Sequence, residues 1–288
     1  MTNKSFKHIA LISRQGKNTA DTVNAVKNYL LKKKLTVYIE EKTAGMLSKN
    51  TLPTFSETHL PKKVDLMIVI GGDGSLLNAA HCALPYHLPV LGINRGRLGF
   101  LTDIHPNELS KIGAVLSGKY LTEKRFLLTA KNGKKPLGIA LNDVVLLPGD
   151  AQLIEFEIRI NDQFVCHQRA DGLIVSTPTG STAYALSGGG PILHPKLNAI
   201  VLVPMFPHTL SSRPIVVQDT AKIEIRVRNH NASHADISCD GQHRISIDPN
   251  DCITITKHKK QLQLIHPENY EYFATLREKL GWQSRIPK

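Results

Sequence analysis

The sequence predicts an α/β domain followed by an all-β domain. Up to about residue 120, strand-like and helix-like segments alternate, which is typical of a doubly wound parallel sheet. The remaining residues form short strand-like runs separated by turn residues, which indicates a β-sandwich-like domain. With 288 residues, of which 41% are hydrophobic, the chain is long enough to build two cores.

The α/β domain is predicted over residues 1–120. Its one clearly amphipathic helix, Thr19–Lys34, carries Val23, Val26 and Leu30 at helical spacing and has a possible cap at Asn18. Another helix is predicted over Asn107–Leu116 and a shorter one over Leu76–Ala80. The predicted strands are Ile9–Ile12, Val37–Ile39, Leu66–Ile70 and Pro89–Ile93.

The β-rich domain is predicted over residues 121–267. Asn161-Asp162 is a plausible hairpin turn between two of its strands. The final segment, Tyr270–Leu280, is predicted to be an amphipathic helix. The predicted strands are Phe126–Ala130, Leu137–Leu147, Ile154–Ile160, Phe164–His167, Leu173–Ser176, Ile200–Val203, Ile215–Val217, Lys222–Val227, Ala235–Cys239, Ile253–Thr256 and Leu262–Ile265.

Composition narrows the possible functions. No apolar run is long enough to cross a membrane and the N-terminus lacks the pattern of a signal peptide, so we expect a cytoplasmic protein without a membrane partner. The four cysteines are scattered, and His230 and His234 lie in a polar loop, so no metal site is predicted. The net charge of +12 is spread along the chain and only 6% of residues are aromatic, which favours polyanionic small molecules over nucleic acid.

The segment Gly71-Gly72-Asp73-Gly74 is the first chemical motif. It joins a buried strand to a helix, and a glycine-rich turn at that place is a natural phosphate site. A carboxylate repels phosphate, so Asp73 is expected to accept a proton, hold a hydroxyl or bind a metal ion. The alternative is a tight turn in which Asp73 only caps the helix. Neither the Walker A nor the G-x-G-x-x-G fingerprint is present.

The second motif is the stretch from Asp171 to Pro191. A strand ends in Thr177-Pro178-Thr179-Gly180, a short helix over Ser181–Leu186 is predicted to follow, and a glycine-rich turn comes next. Hydroxyls, backbone N–H groups and a tyrosine at this place suit the binding of a nucleotide. A Ser/Thr-rich turn that caps a helix explains some of these residues but not all of them. Upstream, Asn142-Asp143 is expected at the midpoint of a strand.

Taken in this order, Gly71–Gly74, Asn142-Asp143 and Asp171–Gly190 strongly resemble the NAD kinases over essentially the whole chain. The resemblance implies transfer of the γ-phosphoryl group of ATP to the 2′-hydroxyl of the adenosine ribose of NAD, giving NADP. It further implies Mg²⁺ arriving with ATP, a homo-oligomer that is commonly a tetramer, and a C-terminal segment, 268–288, that packs back on the first domain.

The resemblance also implies roles for individual residues. Asp73 would orient or deprotonate the 2′-hydroxyl, and Gly74 would offer a backbone contact. Asn142 and Asp143 would hold the adenosine ribose, and Arg169 and Asp171 would flank the nicotinamide half. The residues expected to wall the dinucleotide are Thr179, Thr182, Ala183, Tyr184, Ala185, Leu186, Ser187 and Gln242. Departures from the family pattern at Ser75, Asn78 and Gln152 leave the contacts to the phosphoryl donor open.

Three other functions are alternatives to NAD phosphorylation for this sequence. A lipid kinase shares the Gly-Gly-Asp-Gly element, but no basic amphipathic membrane helix is evident. A non-catalytic NAD(P) sensor would not need Asp73, and a nucleic-acid binder would use the positive charge. The resemblance to the NAD kinases also implies that Arg169 accompanies a preference for NAD over NADH, and we expect its guanidinium to act by organising carboxylates such as Asp171. The alternative for Arg169 is an ordinary surface salt bridge.

Overall fold

A computed structural model describes residues 4–14, 16, 19–95, 99–150, 153–228, 234–249 and 251–282. The predicted cap Asn18, the family departure Gln152 and His230 lie outside these residues. The chain divides into two compact units, one made of Met1–Lys124 with Leu262–Lys288 and the other of Arg125–Gln261. None of the helices in the described part of the chain has the length and apolar character needed to cross a bilayer.

The first unit contains a parallel sheet in the order β3-β2-β1-β4-β5, with the end of β17 beside β5. Its strands are β1 (His8–Ser13), β2 (Thr36–Glu40), β3 (Thr54–Phe55), β4 (Leu66–Ile70) and β5 (Val90–Ile93), with β17 (Cys252–Pro267) entering from the second unit. Its helices are α1 (Thr19–Lys32), α2 (Glu41–Ala44), α3 (Asp73–Ala83), α4 (Leu109–Leu116) and α6 (Tyr272–Leu280), with a 3-10 turn at Leu84–Tyr86.

Both faces of this sheet are covered, which is the doubly wound arrangement that the alternation predicts. Leu66, Ile68 and Ile70 of β4 share one hydrophobic cluster with residues of α1 and α4. Met67 and Val69 alternate with them and therefore face the other side, where α3 packs against β4 and β5. Every side chain of β4 is buried, as a central parallel strand requires.

The second unit is a β-sandwich. One sheet has the order β10-β9-β14-β17, with β6 paired to β17 and β7, and the other has the order β13-β12-β11-β8-β15-β16. Inward-facing residues of both sheets, such as Phe156 and Val175, belong to a single core cluster. A short helix, α5 (Tyr184–Ser187), lies between two of the strands, which are β6 (Tyr120–Asn132), β7 (Lys135–Ala140), β8 (Asp143–Pro148), β9 (Ile154–Ile160), β10 (Gln163–Ala170), β11 (Gly172–Ser176), β12 (Ala199–Met205), β13 (Ile215–Gln218), β14 (Ile223–Arg228), β15 (Ala235–Cys239) and β16 (Arg244–Ile247).

The fold class predicted from the sequence is confirmed, and so is the hairpin at Asn161-Asp162. The chain turns there between the antiparallel strands β9 and β10, with φ of 50° at Asn161 and 63° at Asp162. Positive φ at both central residues is the hallmark of a type I′ turn, and Asn and Asp tolerate it.

Four predicted elements are divided or joined differently in the structure. The predicted strand Leu137–Leu147 is two strands, so Asn142-Asp143 lies at the start of β8 rather than at a strand's midpoint. Ile253–Thr256 and Leu262–Ile265 belong to one strand, β17, because the polar residues between them contain no glycine or proline to break it. The predicted helix Ser181–Leu186 is a 3-10 turn, Gly180–Thr182, followed by α5, because Ala183 departs from helical geometry with φ −107° and ψ −124°.

Candidate functional site

In the first unit, the candidate chemistry lies at the carboxyl ends of neighbouring parallel strands. Asp73 is the first residue of α3, directly after β4 and Gly71-Gly72. Gly72 occupies the N-cap position, and no side chain caps the helix there. The interpretation of Asp73 as a helix cap is therefore wrong. The carboxylate still lies in the first turn of α3, where the helix dipole favours a negative charge.

The Asp73 side chain is held by the segment that follows β5. Asp73 Oδ2 accepts the N–H of Phe100 at 2.9 Å, and Oδ1 accepts the N–H of Leu101 at 3.0 Å. The Thr102 hydroxyl lies 3.5 Å from Oδ1. A Cβ on Gly99 would lie 2.1 Å from Asp73 Oδ1, so only glycine permits this close approach. Backbone donors thus fix the direction of the carboxylate.

Two arginines at the same edge were missed by the sequence analysis. Arg14 follows β1, and its Nη1 would lie 3.9 Å from a Cβ placed on Gly74. Arg95 follows β5, and its guanidinium donates to the Thr19 hydroxyl at the start of α1. Because β1, β4 and β5 are adjacent and parallel, the two cations share one sheet edge with Asp73. A basic residue just after a buried strand was the signal that could have identified them.

In the second unit, several predicted residues line one cavity of about 290 Å³. Its predicted members are Asn142, Asp143, Ala183, Tyr184 and Gln242. The sequence analysis missed its other lining residues, which are Val145, Leu147, Ser238, Asp240, Gly241 and Arg244. Tyr184 and Ser187 also line a neighbouring cavity of about 400 Å³ that extends to residues 204–207 and 212–214. The Tyr184 side chain is 46% exposed, so its ring is available to a ligand.

Two carboxylates organise the cavity that Asn142 and Tyr184 line. Asp240 accepts the backbone N–H groups of Leu141 at 2.8 Å and Asn142 at 2.7 Å, which explains why the strand pairing breaks between β7 and β8. Asp143 is 4% exposed. Burial, together with the negative charge of Asp240, raises the pKa of Asp143 to about 7. Near neutral pH the Asp143 carboxyl can therefore both donate and accept a hydrogen bond.

The loop from Ser176 to Thr182 shapes the same wall. Thr177 donates its backbone N–H to the Asn142 carbonyl at 2.9 Å and its hydroxyl to the Leu141 carbonyl at 2.6 Å. A Cβ on Gly180 would lie 2.3 Å from the Asn142 carbonyl oxygen, so a side chain there would push the two segments apart. The loop therefore fixes the backbone of Asn142 beside the cavity.

The remaining predicted residues lie outside the linings of these two cavities. The Thr179 hydroxyl accepts from the buried Arg125 guanidinium at 3.1 Å, and Thr182 donates to the Thr179 carbonyl at 3.1 Å. Ala185 is fully buried in a hydrophobic cluster, Leu186 is half-buried and Asp171 is exposed. Arg169 pairs across the strands with Glu155, at 3.7 Å from Nε to Oε1.

Asp171 is not the ion-pair partner of Arg169 among the described residues, contrary to the expectation. The described residues also contain no group of three His, Cys, Asp or Glu side chains arranged to hold a metal ion. Gly74 is exposed at the second position of α3, with its backbone accessible.

Comparison with known proteins agrees with this architecture. Residues 9–120 match the model of the ATP-NAD kinase N-terminal domain, and residues 141–267 match that of the ATP-NAD kinase C-terminal domain. The chain is 56% identical over 294 residues to an NAD kinase of Coxiella burnetii, which covers 100% of this chain and 98% of the relative. It is 51% identical over 290 residues to an NAD kinase of Pseudomonas putida, covering 98% of both chains.

Two solved structures are similar to the whole chain. The NAD kinase of Archaeoglobus fulgidus in complex with ATP superimposes with a TM-score of 0.72 and 28% identity, covering 94% of this chain and 99% of that one. The yeast NADH kinase complexed with NADH gives a TM-score of 0.87 over 98% of this chain and 89% of that one, and at 23% identity it shows the fold alone. Full-length identity above 50% to curated relatives settles the family. The chain belongs to the NAD kinase family.

Proposed function

We propose that Asp73 is the catalytic residue with which this chain phosphorylates NAD to NADP at the expense of ATP. Its carboxylate would orient the 2′-hydroxyl of the adenosine ribose and take the proton as the oxygen attacks the γ-phosphorus of ATP. The observation that carries the proposal is the pair of backbone N–H groups, from Phe100 and Leu101, that fix the direction of the Asp73 carboxylate.

The hydrogen bonds of Asp73 suit this role. A carboxylate has about four acceptor sites, and two are taken by backbone N–H groups. Acceptor capacity therefore remains on Oδ2 for a substrate hydroxyl. Phosphoryl transfer needs alignment of the hydroxyl and neutralisation of phosphate charge rather than a covalent intermediate on the protein. A carboxylate of fixed direction contributes to alignment.

Phosphate charge would be met by the cations at the same sheet edge as Asp73. Arg14 follows β1 and Arg95 follows β5, the strands on either side of β4, and the N-terminus of α3 offers backbone N–H groups at Gly74. We include Mg²⁺ as part of the ATP substrate, because a triphosphate carries its divalent cation into the site. We therefore assign the contacts to ATP, the phosphoryl donor, to Arg14, Arg95 and Gly74. The departures from the family pattern at Ser75 and Asn78 leave these contacts open.

The dinucleotide would be bound by residues of the second unit. The cavity lined by Asn142, Asp143 and Tyr184 presents an amide, a carboxyl group of pKa about 7 and an exposed aromatic face. Ribose hydroxyls and an adenine amino group are the partners such groups bind. Arg169 and Asp171 stay proposed for the nicotinamide half, and Thr179, Thr182, Ala185 and Leu186 for the supporting wall. A homotetramer and a cytoplasmic location are proposals that rest on the family resemblance.

The reaction can be tested directly with the purified chain. With ATP labelled on its γ-phosphate, Mg²⁺ and NAD, we expect label in a dinucleotide that an NADP-dependent dehydrogenase accepts. The control replaces NAD with 2′-deoxy-NAD, which offers no acceptor hydroxyl and should remain unlabelled. Label on 2′-deoxy-NAD, or none on NAD, would contradict the proposed reaction.

A further inference from the structure

A buried cluster of charged groups lies in the first unit and is not used by the mechanism above. His266, near the end of β17, is 1% exposed. Its Nδ1 bonds to Asp103 Oδ2, and its Nε2 lies 3.2 Å from Oε2 of Glu123 on β6. Its ring stacks on Tyr270, with centroids 4.0 Å apart and planes at 14°.

The two carboxylates decide the charge of His266. Burial by itself opposes protonation of the imidazole, but the hydrogen bonds and negative charges of Asp103 and Glu123 outweigh it and raise the pKa of His266. Only an imidazolium has a proton on both ring nitrogens, so it bonds to Asp103 through Nδ1 and turns a positively charged N–H towards Glu123, with Nε2 and Oε2 3.2 Å apart. A neutral imidazole would leave one buried carboxylate facing a lone pair, which is costly.

Asp103 belongs to the same short segment that holds Asp73. Phe100 and Leu101, which donate to the Asp73 carboxylate, come three and two residues before it. Thr102 and Leu101 are buried, and the segment lies so close to β5 that a Cβ on Gly92 would be 2.7 Å from Thr102 Cγ2. One side of the segment is therefore fixed by β5, and Asp103 ties its end to His266.

We propose that His266, with Asp103 and Glu123, is a positioning residue for Asp73, and that its positive charge keeps the 99–103 segment in the place from which it directs the carboxylate. This inference rests on the proposed role of Asp73. His266 is buried and meets no substrate, so its loss should lower kcat and leave the KM for NAD nearly unchanged.

The proposal predicts a pH dependence of known sign. Because the folded-state pKa of His266 is raised, the stabilisation it gives is fully present below the unfolded value near 6.5. It is lost as the pH rises through the folded-state pKa. Asp103 and Glu123 then both face an uncharged ring, so positioning weakens on the alkaline side.

The test compares His266→Gln and Glu123→Gln with the wild-type chain. We expect kcat to fall about ten- to a hundredfold in His266→Gln, the scale on which a small misplacement of a catalytic group costs rate. The KM for NAD should stay within about twofold, and the alkaline fall in kcat that His266 causes should disappear from the pH profile. Glu123→Gln keeps the His266–Asp103 bond, so it should also lower kcat, but by less than His266→Gln does.

A matched control separates positioning from a general loss of stability. Asp219→Asn breaks another ion pair in the second unit, between the buried Asp219 and the partly buried Lys257. It should destabilise the chain without changing kcat. An equal fall of kcat in Asp219→Asn would overturn the proposal, as would wild-type kcat in folded His266→Gln. If His266→Gln does not fold, the same two criteria apply to Glu123→Gln.

A double variant separates this proposal from the proposed function. If His266 acts through Asp73, then Asp73→Asn combined with His266→Gln should turn over no more slowly than Asp73→Asn alone. A further fall would overturn the positioning role and leave Asp73 as the catalytic residue. Near-normal turnover of Asp73→Asn alone would instead overturn the proposed function.

Discussion

Asp73 and Asp143 are both aspartates close to the start of a secondary-structure element, yet the protein places them in opposite surroundings. Asp73 is half-buried, and backbone N–H groups of Phe100 and Leu101 point at its carboxylate. Asp143 is almost fully buried, and this burial, together with the negative charge of the neighbouring Asp240, raises the pKa of Asp143 to about 7. Backbone donors hold the first carboxylate in one direction, and the second carboxyl group is built to exchange a proton near neutral pH.

The groups around each aspartate, rather than the aspartate itself, determine what Asp73 and Asp143 can do. In the first unit, donors converge on a single carboxylate. In the second, Asp240 takes the backbone donors of Leu141 and Asn142, and no described residue donates a backbone N–H to the Asp143 carboxyl group. Asp73 should therefore govern the rate of the chemical step, whereas Asp143 should govern stability and ligand affinity.

The largest expected effect is that of Asp73→Asn. The amide keeps the shape of the side chain but cannot accept a proton, so kcat should fall about 10²- to 10⁴-fold, the range for loss of a general base. Asp65→Asn is the matched control, because Asp65 also accepts two backbone N–H groups, at 2.9 Å from Lys7 and 3.0 Å from His8, at the other end of β4. Steady-state rates at saturating ATP and NAD measure both. Similar losses in the two variants would reduce Asp73 to a structural role.

A smaller effect, on stability, is expected from Asp143→Asn. Above pH 7 the wild-type chain buries a charge that the variant lacks, because the folded-state pKa of Asp143 is about 7, while an unfolded aspartate titrates near 3.9. The free energy of unfolding of the variant should exceed that of the wild type by a few kcal/mol, as an order of magnitude, at pH 8. The difference should shrink as the pH falls towards 4.

Urea unfolding at pH 5 and pH 8 measures this difference. Asp162→Asn is the control, since Asp162 is exposed and its partner Lys222 lowers its pKa. That variant should show no gain in stability as the pH rises. If the difference in the free energy of unfolding between Asp143→Asn and the wild type is the same at both pH values, Asp143 does not titrate as a buried group.

Tyr184→Ala should affect only the binding of NAD by the second unit. Tyr184 lines both cavities with a half-exposed ring, so its removal should weaken NAD binding by about 1–3 kcal/mol, as loss of an aromatic stacking face does. Tyr184→Phe keeps the ring and should bind NAD almost normally. Calorimetry with NAD compares the two variants. If Tyr184→Ala and the wild type bind NAD with equal affinity, the Tyr184 ring does not contact the dinucleotide.

Much of the fold could be predicted because it depends on local pattern. For the strand Leu66–Ile70, both predicted ends agree with the observed ones. A fully buried strand is a continuous run of apolar residues, and here a glycine turn marks its end. Helix α1 followed from the spacing of Val23, Val26 and Leu30. The small helix α2 was missed, because it is stabilised by the buried Glu40 carboxylate, which accepts the N–H of Thr43 at 2.7 Å and leaves no periodic pattern.

The site was harder to predict because long-range contacts decide it. Asp73 was identified from its motif, but its backbone partners at Phe100 and Leu101 lie 27 and 28 residues away in the sequence. The break before Asp143 depends on Asp240, which is 97 residues away. No period or propensity encodes such pairings. For the same reason, His266 showed no signal until the fold brought Asp103 and Glu123 to it.

The smallest expected effect is that of Arg169→Gly on the choice between NAD and NADH. Arg169 lies on β10 with 56% of its side chain exposed, and its partner Glu155 is 36% exposed and at 3.7 Å. An exposed pair of this kind contributes about 0.2–1 kcal/mol, and 1 kcal/mol converts to a change of about fivefold. We therefore expect the wild type to prefer NAD and the variant to lose at most about fivefold of that preference.

Glu155→Gln is the matched variant, because it removes the same ion pair and keeps the guanidinium. If selectivity falls in Arg169→Gly but not in Glu155→Gln, the guanidinium itself discriminates between the nicotinamide rings. Equal falls would assign the effect to the ion pair, and unchanged selectivity in both would show that Arg169 is a surface residue without a role in the choice of substrate.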